Sequence, residues 1–174
     1  MRTLFPYTTL FRSGQPVVLS AAPDPGSFFL GWSGDCTGPD ECTVTMDQNR
    51  SVVAIFGDCT ITGSGRITGT SGDDIICGSD GNDVIYGLGG NDQIFGGDGT
   101  DRIYGGSGDD VIFGGDGNDY IYGQDGEDQL SGDSGNDRLY GGDHDDSLDG
   151  GDGTDTCYGQ SGADTREDCE SGSG

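Results

Sequence analysis

The sequence predicts an all-β fold in which short coils stack on one another, preceded by a small module of β-strands. Three observations support this prediction: a nine-residue period in the C-terminal half, 37 glycines among 174 residues, and a hydrophobic content of only 30%. The apolar residues are too few and too scattered for a large conventional core. No apolar run is long enough to span a membrane. The repeat therefore decides the architecture.

The charge of the chain excludes several classes of partner. The sequence has 32 acidic residues, seven arginines and no lysine, which gives a formal net charge of -25. Such a surface repels nucleic acid and anionic lipid, so neither is an expected partner. Composition alone leaves two interpretations open: a disordered acidic chain, or a regular repeat whose charges are neutralised by bound cations.

The nine-residue period runs without a gap from Gly69 to Glu167 and comprises eleven units. Position 1 is Gly and position 6 is Asp in every unit, and position 4 is Gly in all but one, which has His144. Position 8 is Ile or Leu in the first nine units, followed by Cys157 and Arg166. A random low-complexity sequence does not keep four positions in register over so many units. The repeat therefore favours an ordered solenoid.

The letters of one unit indicate its conformation. Glycine allows positive φ and close backbone approach, so positions 1 to 6 predict a tight turn. Positions 7 to 9 suit a very short strand with the position 8 side chain inside. Two units then form an 18-residue coil, and successive coils stack at about the 4.8 Å strand spacing. The resulting core is a thin column, and no single coil is stable alone.

Stacking also brings the position 6 aspartates into two columns. The neighbouring carboxylates repel one another by about 1–4 kcal/mol per pair, depending on the dielectric. A divalent cation between turns removes this repulsion, and carboxylate with carbonyl oxygens is the ligand set that Ca²⁺ prefers. Mg²⁺ demands a stricter octahedron, and zinc or copper would want His or thiolate. The two columns are Asp74, Asp92, Asp110, Asp128, Asp146 and Asp164, and Asp83, Asp101, Asp119, Asp137 and Asp155.

The unit GGxGxDxUx resembles the RTX, or haemolysin-type, calcium-binding nonapeptide repeat over residues 69–167. The resemblance implies a right-handed parallel β-roll that holds Ca²⁺ between turns one coil apart, with at most nine ions. It implies ligands of three kinds: position 6 carboxylates, position 3 carboxylates and backbone carbonyls near positions 2 and 4. We expect the best sites in the middle of the roll and a distorted turn at His144, since a side chain at positive φ costs energy.

The implied carboxylate ligands are Asp74, Asp80, Asp83, Asp92, Asp98, Asp101, Asp110, Asp116, Asp119, Asp125, Asp128, Asp137, Asp143, Asp146, Asp152 and Asp155. The implied carbonyl ligands belong to Gly81, Gly90, Gly97, Gly99, Gly106, Gly108, Gly115, Gly117, Gly126 and Gly135.

Six cysteines form three local pairs in the sequence, and we predict the bridges Cys36–Cys42, Cys59–Cys77 and Cys157–Cys169. In the frame of the repeat, Cys59 and Cys77 are both position 9, one coil apart, and such stacked positions lie near the Cα separation that a disulfide needs. Free thiols or a metal cluster are the alternative, although no CxxC motif is present. Disulfides indicate an oxidising compartment, so we expect a secreted or extracellular protein.

The N-terminal part has a different character. Residues 14–57 alternate as short strands between turns, and the stretch from Gly31 to Phe56 resembles the small all-β bacterial repeat modules of cell-surface and secreted proteins. Residues 3–13 resemble a translated sequencing adapter, so we set residues 1–13 aside and expect that Met1 is not the native start. The remaining predicted segments are a cap strand at 58–68, the roll at 69–167 and a cap with a tail at 168–174.

Tyrosines occupy position 9 of every second unit. They stabilise the sheet by stacking, or they form a binding face for a glycan or another protein. No catalytic motif such as HExxH or GxSxG occurs, so the sequence predicts a secreted calcium-binding protein that is not an enzyme. The alternative is the calcium-dependent C-terminal region of a larger secreted enzyme, toxin or adhesin. The tyrosines are Tyr86, Tyr104, Tyr122, Tyr140 and Tyr158.

Overall fold

The structure is a computed structural model that describes residues 58–172 in full and, before them, the backbone of four strands. The chain divides into two compact units, Met1–Asp58 and Cys59–Gly174. No helix occurs in the described residues, and so none there is long and apolar enough to cross a membrane.

The first unit contains two antiparallel strand pairs. Its strands are β1 (Pro16–Leu19), β2 (Ser27–Gly34), β3 (Cys42–Thr45) and β4 (Val52–Asp58). β1 pairs with β3, and β2 pairs with β4 through a register shift between Phe29 and Gly31. This part of the chain is all-β, as predicted. The predicted Cys36–Cys42 bridge and residues 1–13 lie outside the described residues.

The second unit is a parallel solenoid of two sheets. Its strands are β5 (Ile61–Thr62), β6 (Arg66–Thr68), β7 (Ile75–Cys77), β8 (Val84–Gly89), β9 (Gln93–Asp98), β10 (Arg102–Ser107), β11 (Val111–Asp116), β12 (Tyr120–Asp125), β13 (Gln129–Gly135), β14 (Arg138–Asp143), β15 (Ser147–Asp149), β16 (Asp152–Gly153), β17 (Thr156–Ser161) and β18 (Thr165–Glu167). One sheet has the order β17-β14-β12-β10-β8-β6, and the other has β18-β15-β13-β11-β9-β7-β5 with β16 paired to β13.

The strand register confirms the 18-residue coil. Ile103 pairs with Ile85 on one side and with Ile121 on the other. Position 8 faces the interior along the described roll, as predicted, and Arg166 at the last position 8 is exposed, so the apolar column ends there. The core is Ile67, Ile76, Ile85, Ile94, Ile103, Ile112, Ile121, Leu130, Leu139, Leu148 and Cys157.

Most strands are longer than the repeat predicts. β10 begins at position 7 of one unit and continues through position 3 of the next. Its register with β8 continues through Gly106 opposite Leu88 and Ser107 opposite Gly89. Parallel pairing therefore extends into the first half of each turn, because successive turns have the same backbone path.

The two ends of the roll depart from the register of its middle. Ile61 and Thr62 pair with Ile76 and Cys77, and Thr156 bridges Ser171, so both offsets are three short of a full coil. The Cys59–Cys77 disulfide is present with a Cα–Cα distance of 6.0 Å, but the predicted reason for it is wrong. Thr62 stacks on Cys77, and Cys59 precedes β5, because the first coil is shorter than those in the middle of the roll.

The second predicted bridge in this unit, Cys157–Cys169, is also present, with a Cα–Cα distance of 5.9 Å. Cys157 is buried in the core, and Cys169 packs against it from the last coil. Each end of the roll is therefore closed by a short coil and a disulfide.

Candidate calcium sites

The position 6 aspartates form the two predicted columns inside the turns. From Asp83 to Asp155 each of them is at most 3% exposed, an unusual degree of burial for carboxylates. Asp74 and Asp164, at the ends of the first column, are half-buried. The columns therefore contain buried acidic groups in a protein that already has a large negative charge.

One oxygen of each carboxylate joins neighbouring coils. The N–H of Asp92 donates to Oδ1 of Asp110 at 2.8 Å, and the N–H of Asp101 donates to Oδ1 of Asp119 at 2.7 Å. The same bond recurs in every unit from the N–H of Asp74 to that of Asp146. Oδ1 therefore faces the preceding coil and has a partner there.

The second oxygen of each carboxylate, Oδ2, has no hydrogen-bond partner in most of the described turns. Among the described residues, eight consecutive position 6 aspartates have a buried Oδ2 that makes no hydrogen bond. An unpaired, buried carboxylate oxygen is costly, so each of these atoms is a candidate contact for a cation. The eight are Asp92, Asp101, Asp110, Asp119, Asp128, Asp137, Asp146 and Asp155.

Position 1 glycine shows which way Oδ2 points. A Cβ added at Gly114 would lie 2.6 Å from Oδ2 of Asp119 and 2.8 Å from the carbonyl oxygen of Gly132, one coil later. Oδ2 therefore faces the gap between its own turn and the following turn of the same column. The same crowding excludes a side chain at position 1 and accounts for the glycine in every unit.

Further backbone oxygens point along the columns. The carbonyls of Gly97 at position 2 and Gly99 at position 4 would each overlap a Cβ placed on the equivalent glycine of the next coil. No three His, Cys, Asp or Glu side chains in the fully described part of the chain converge on one point, so a site here combines a carboxylate with carbonyl oxygens. This all-oxygen donor set fits Ca²⁺.

The aspartates at position 3 are placed differently. Their side chains are exposed. The carbonyls of Asp116, Asp125 and Asp143 accept hydrogen bonds from the position 4 N–H of the preceding coil, as when Gly99 donates to Asp116 at 2.7 Å. They are not buried with the columns, although the charges of Asp98 and Asp125 raise the pKa of Asp101 and Asp128. The exposed set is Asp80, Asp98, Asp116, Asp125, Asp143 and Asp152.

Burial raises the pKa of eight column aspartates, the position 6 residues from Asp92 to Asp155. Desolvation is the largest cause; a hydrogen bond from the preceding coil lowers the pKa, and neighbouring carboxylates raise it further. The pKa of Asp110 rises from 3.8 to about 7. The pKa of Asp101, Asp119, Asp128, Asp137 and Asp146 rises to about 6.

The turn at His144 is less distorted than expected. His144 has a φ of 88°, in the same left-handed region that glycine adopts at position 4 of neighbouring turns. Its carbonyl points at Gly162 in the next coil. The backbone path is therefore preserved, and the cost is a strained non-glycine residue.

Two features of the turns were not predicted from the sequence. Asn, Asp and similar residues at position 5 form an exposed ladder, in which the side chain of Asn82 accepts from the N–H of Thr100 at 2.9 Å and that of Asn118 from Asn136 at 2.8 Å. The carbonyl oxygen of Asp168 lies at the end of the second column, in the gap after Asp155. A Cβ added at Gly150 would overlap that carbonyl oxygen and would lie 2.9 Å from Oδ2 of Asp155. The first is visible in the sequence as a preference for Asn or Asp at position 5, whereas the second depends on how the last coil folds back.

The fold and its columns of buried carboxylates define a calcium-binding β-roll. Four copies of the RTX calcium-binding nonapeptide repeat match residues 61–94, 68–103, 95–130 and 131–165, which together cover more than half of the chain. The chain therefore belongs to the RTX calcium-binding nonapeptide repeat family. Residues 7–60 match the divergent InlB B-repeat domain, in agreement with the expected bacterial repeat module. The comparison with curated proteins finds no match.

Proposed function

We propose that the roll binds Ca²⁺ in the gaps between stacked turns and that the chain folds into the roll as calcium binds. The observation that carries this proposal is the series of buried Oδ2 atoms without partners, one per turn from Asp92 to Asp155. A cation beside each supplies the missing interaction and offsets the repulsion within the columns. The carbonyls of positions 1, 2 and 4 supply further oxygens in the same gaps.

Calcium acts here by linkage. An ion that binds the roll and not the unfolded chain shifts the folding equilibrium by mass action. The unfolded chain has the same carboxylates, but it does not hold them in columns. At low calcium the charge repulsion favours the unfolded state, and at high calcium the ligand favours the roll.

We place this event outside the cell. The disulfides Cys59–Cys77 and Cys157–Cys169 require an oxidising compartment, and extracellular calcium modules use weak sites of about 10⁻⁴–10⁻³ M. In this proposal the protein is secreted and its roll is not a catalyst. An alternative in which the roll is the C-terminal region of a larger secreted enzyme, toxin or adhesin assigns it the same calcium chemistry.

Circular dichroism of the full chain with EDTA, with Ca²⁺ and with Mg²⁺ tests the proposal. We expect β-sheet signal to appear with Ca²⁺ and to disappear with EDTA, and Mg²⁺ to be less effective. Asp110→Asn combined with Asp119→Asn should weaken the apparent calcium affinity by roughly tenfold or more, since each removes a charged ligand from a buried site.

The matched control is Asp116→Asn with Asp125→Asn, which removes the same charge from exposed aspartates at position 3. This control should change the affinity much less. A spectrum of the wild-type protein that is identical with EDTA and with calcium would refute the proposed function.

A further inference from the structure

The first turn of each column, at residues 69–74 and 78–83, differs from all later described turns in backbone conformation. In the nine units from Gly87 onward, positions 2 and 4 both have φ in the left-handed region; Leu88 has a φ of 84° and Gly90 one of 105°. In the first two turns, no residue at these positions has such a φ. We call these two turns the N-terminal turns, and the residues concerned are Thr70, Gly72, Ser79 and Gly81.

The N-terminal turns also provide hydrogen-bond donors to the Oδ2 atoms of their own aspartates. Oδ2 of Asp74 accepts from the N–H of Thr70 at 2.7 Å and from its hydroxyl at 2.8 Å. Oδ2 of Asp83 accepts from the N–H of Ser79 at 2.8 Å and from its hydroxyl at 3.0 Å. In the eight units that follow, this same oxygen is buried without a partner.

The carbonyl at position 4 is also turned away from the gap. The atoms nearest to a Cβ at Gly99 are the carbonyl carbon of Gly81 at 2.9 Å and the N of Asn82 at 3.0 Å. In later turns the nearest atom at the equivalent point is the carbonyl oxygen, as it is for Gly99 beneath Gly117. The gaps above the N-terminal turns therefore lack both the free carboxylate oxygen and the position 4 oxygen.

We propose that the N-terminal turns are a calcium-independent cap, in which Thr70 and Ser79 replace the cation as partners of Asp74 and Asp83. This inference rests on the proposed calcium binding of the later turns. Calcium then occupies only gaps that begin at Asp92 or beyond, at most eight, one for each unpartnered Oδ2. The candidate ligands Asp74, Asp80, Asp83 and Gly81 bind no calcium in this assignment.

The cap also provides a template for calcium-driven folding. The Cys59–Cys77 disulfide ties the segment before the cap to β7, which lies between the two N-terminal turns. The cap presents paired strands and core residues Ile67 and Ile76 to the next coil. Each later coil then adds to an existing sheet edge, which costs less free energy than forming a new nucleus.

Hydrogen exchange of the full, oxidised chain followed by NMR tests the cap directly. In calcium-free buffer, the Thr70 and Ser79 amides should exchange at least roughly tenfold more slowly than those of Gly106 and Gly115, which occupy the same repeat position, because N–H donation to a charged acceptor persists only in the cap. Equal exchange rates at the four amides without calcium would overturn the proposal.

Removing the hydroxyls provides a second test. Thr70→Val with Ser79→Ala should raise the calcium-free exchange of residues 69–83 by roughly tenfold, whereas Ser107→Ala, which removes a hydroxyl from a later turn, should leave it unchanged. Native mass spectrometry of Thr70→Gly with Ser79→Gly, which restores the GGxGxD sequence, should show one or two more bound Ca²⁺ than the wild type. The control Leu88→Gly, at position 2 of the next coil, should show no additional ion.

These outcomes separate the cap from the proposed function. If residues 87–164 exchange equally with and without calcium, the calcium-binding proposal fails, whatever the N-terminal turns do. If calcium protects residues 87–164 and the N-terminal turns are protected only with it, the cap alone is overturned.

Discussion

At the scale of the residue, glycine and aspartate have different roles in each turn. Position 1 has no room for a Cβ beside the carboxylate, and in the units from Gly87 onward positions 2 and 4 have positive φ. The aspartate uses Oδ1 for a structural hydrogen bond to the preceding coil and has Oδ2 available for an ion. Each residue of the motif thus has a physical reason to be the type that it is.

Glycine at position 4 offers a matched test of backbone strain. Gly117 has a φ of 141° and its added Cβ would overlap the carbonyl of Gly99, whereas Gly81 is not left-handed and has nothing within 4 Å. Gly117→Ala should therefore lower the unfolding free energy in saturating calcium by about 1–3 kcal/mol. Gly81→Ala should change it by less than about 1 kcal/mol. Chemical denaturation measures both, and equal losses would contradict the argument.

The raised pKa values of the column aspartates from Asp92 to Asp155 predict an acid effect without calcium. Because these groups have a higher pKa in the roll than in the unfolded chain, protonation stabilises the roll. That stabilisation is fully present below the unfolded pKa near 3.8 and is lost as the pH rises through about 6 and 7. In metal-free buffer the chain should therefore show more β-structure at about pH 5 than at about pH 8.

Circular dichroism across this range checks the pH prediction. The calcium-bound protein provides the comparison, since protons compete with the ion and its apparent affinity should fall on acidification. A calcium-free chain that gains structure as the pH rises would show that the columns are not the cause.

At the scale of the element, aromatic side chains join neighbouring strands of each sheet. The position 9 tyrosines stack with ring centroids 4.8–5.1 Å apart and interplanar angles of 6–14°. The guanidinium of Arg66 lies 4.6 Å from the ring of Tyr86 at the start of the file. The ring faces contact one another, as the stabilising interpretation requires, and the alternative of a glycan or protein-binding face stays a prediction.

The tyrosine file predicts a difference between its middle and its end. Tyr122→Ala removes two stacked pairs, with Tyr104 and Tyr140, whereas Tyr158→Ala removes the pair with Tyr140. At about 0.5–1.5 kcal/mol per pair, the first change should cost about twice as much stacking energy as the second. Urea unfolding in saturating calcium measures the loss, and an equal or smaller loss for Tyr122→Ala would contradict the pairwise account.

At the scale of the whole molecule, the roll is a one-dimensional stack with two different ends. At the N-terminal end the carboxylates are satisfied by Thr70 and Ser79. At the C-terminal end Glu170 accepts from the N–H of Asp155, taking the place of the next aspartate in the column. Each end also has a shortened coil and a disulfide.

The disulfides predict a contribution that is independent of calcium. Cys59→Ser with Cys77→Ser opens an 18-residue loop and should lower the unfolding free energy by about 3 kcal/mol in the chain-entropy account. Chemical denaturation with saturating calcium measures the loss. Reductant should lower the stability of the wild type further than that of the variant, and an unchanged unfolding free energy would show that the first coil needs no covalent closure.

The sequence by itself determined the repeat, the 18-residue coil, the inward-facing side chains at position 8 and the two columns of aspartates. These follow from a period that leaves one arrangement for each position, because every unit must bury the same apolar side chain and stack the same turn. The identity of the two disulfides in the roll was also predicted correctly, although the register at Cys59 was not.

Only the tertiary structure decided what each oxygen of a carboxylate does. Whether Oδ2 of an aspartate is free or bonded depends on the rotation of peptides at positions 2 and 4. The hydroxyl of Ser79, at position 2, bonds to Oδ2 of Asp83 in the first turn of its column, where the peptide is not left-handed. The serine in the sequence does not by itself show how that peptide is rotated. The short end coils likewise depend on how the chain leaves the stack, because their residues no longer follow the period. The sequence pattern within each unit determines the repeat. Contacts between coils determine the conformation of the end coils and the hydrogen-bond partners of the buried carboxylate oxygens.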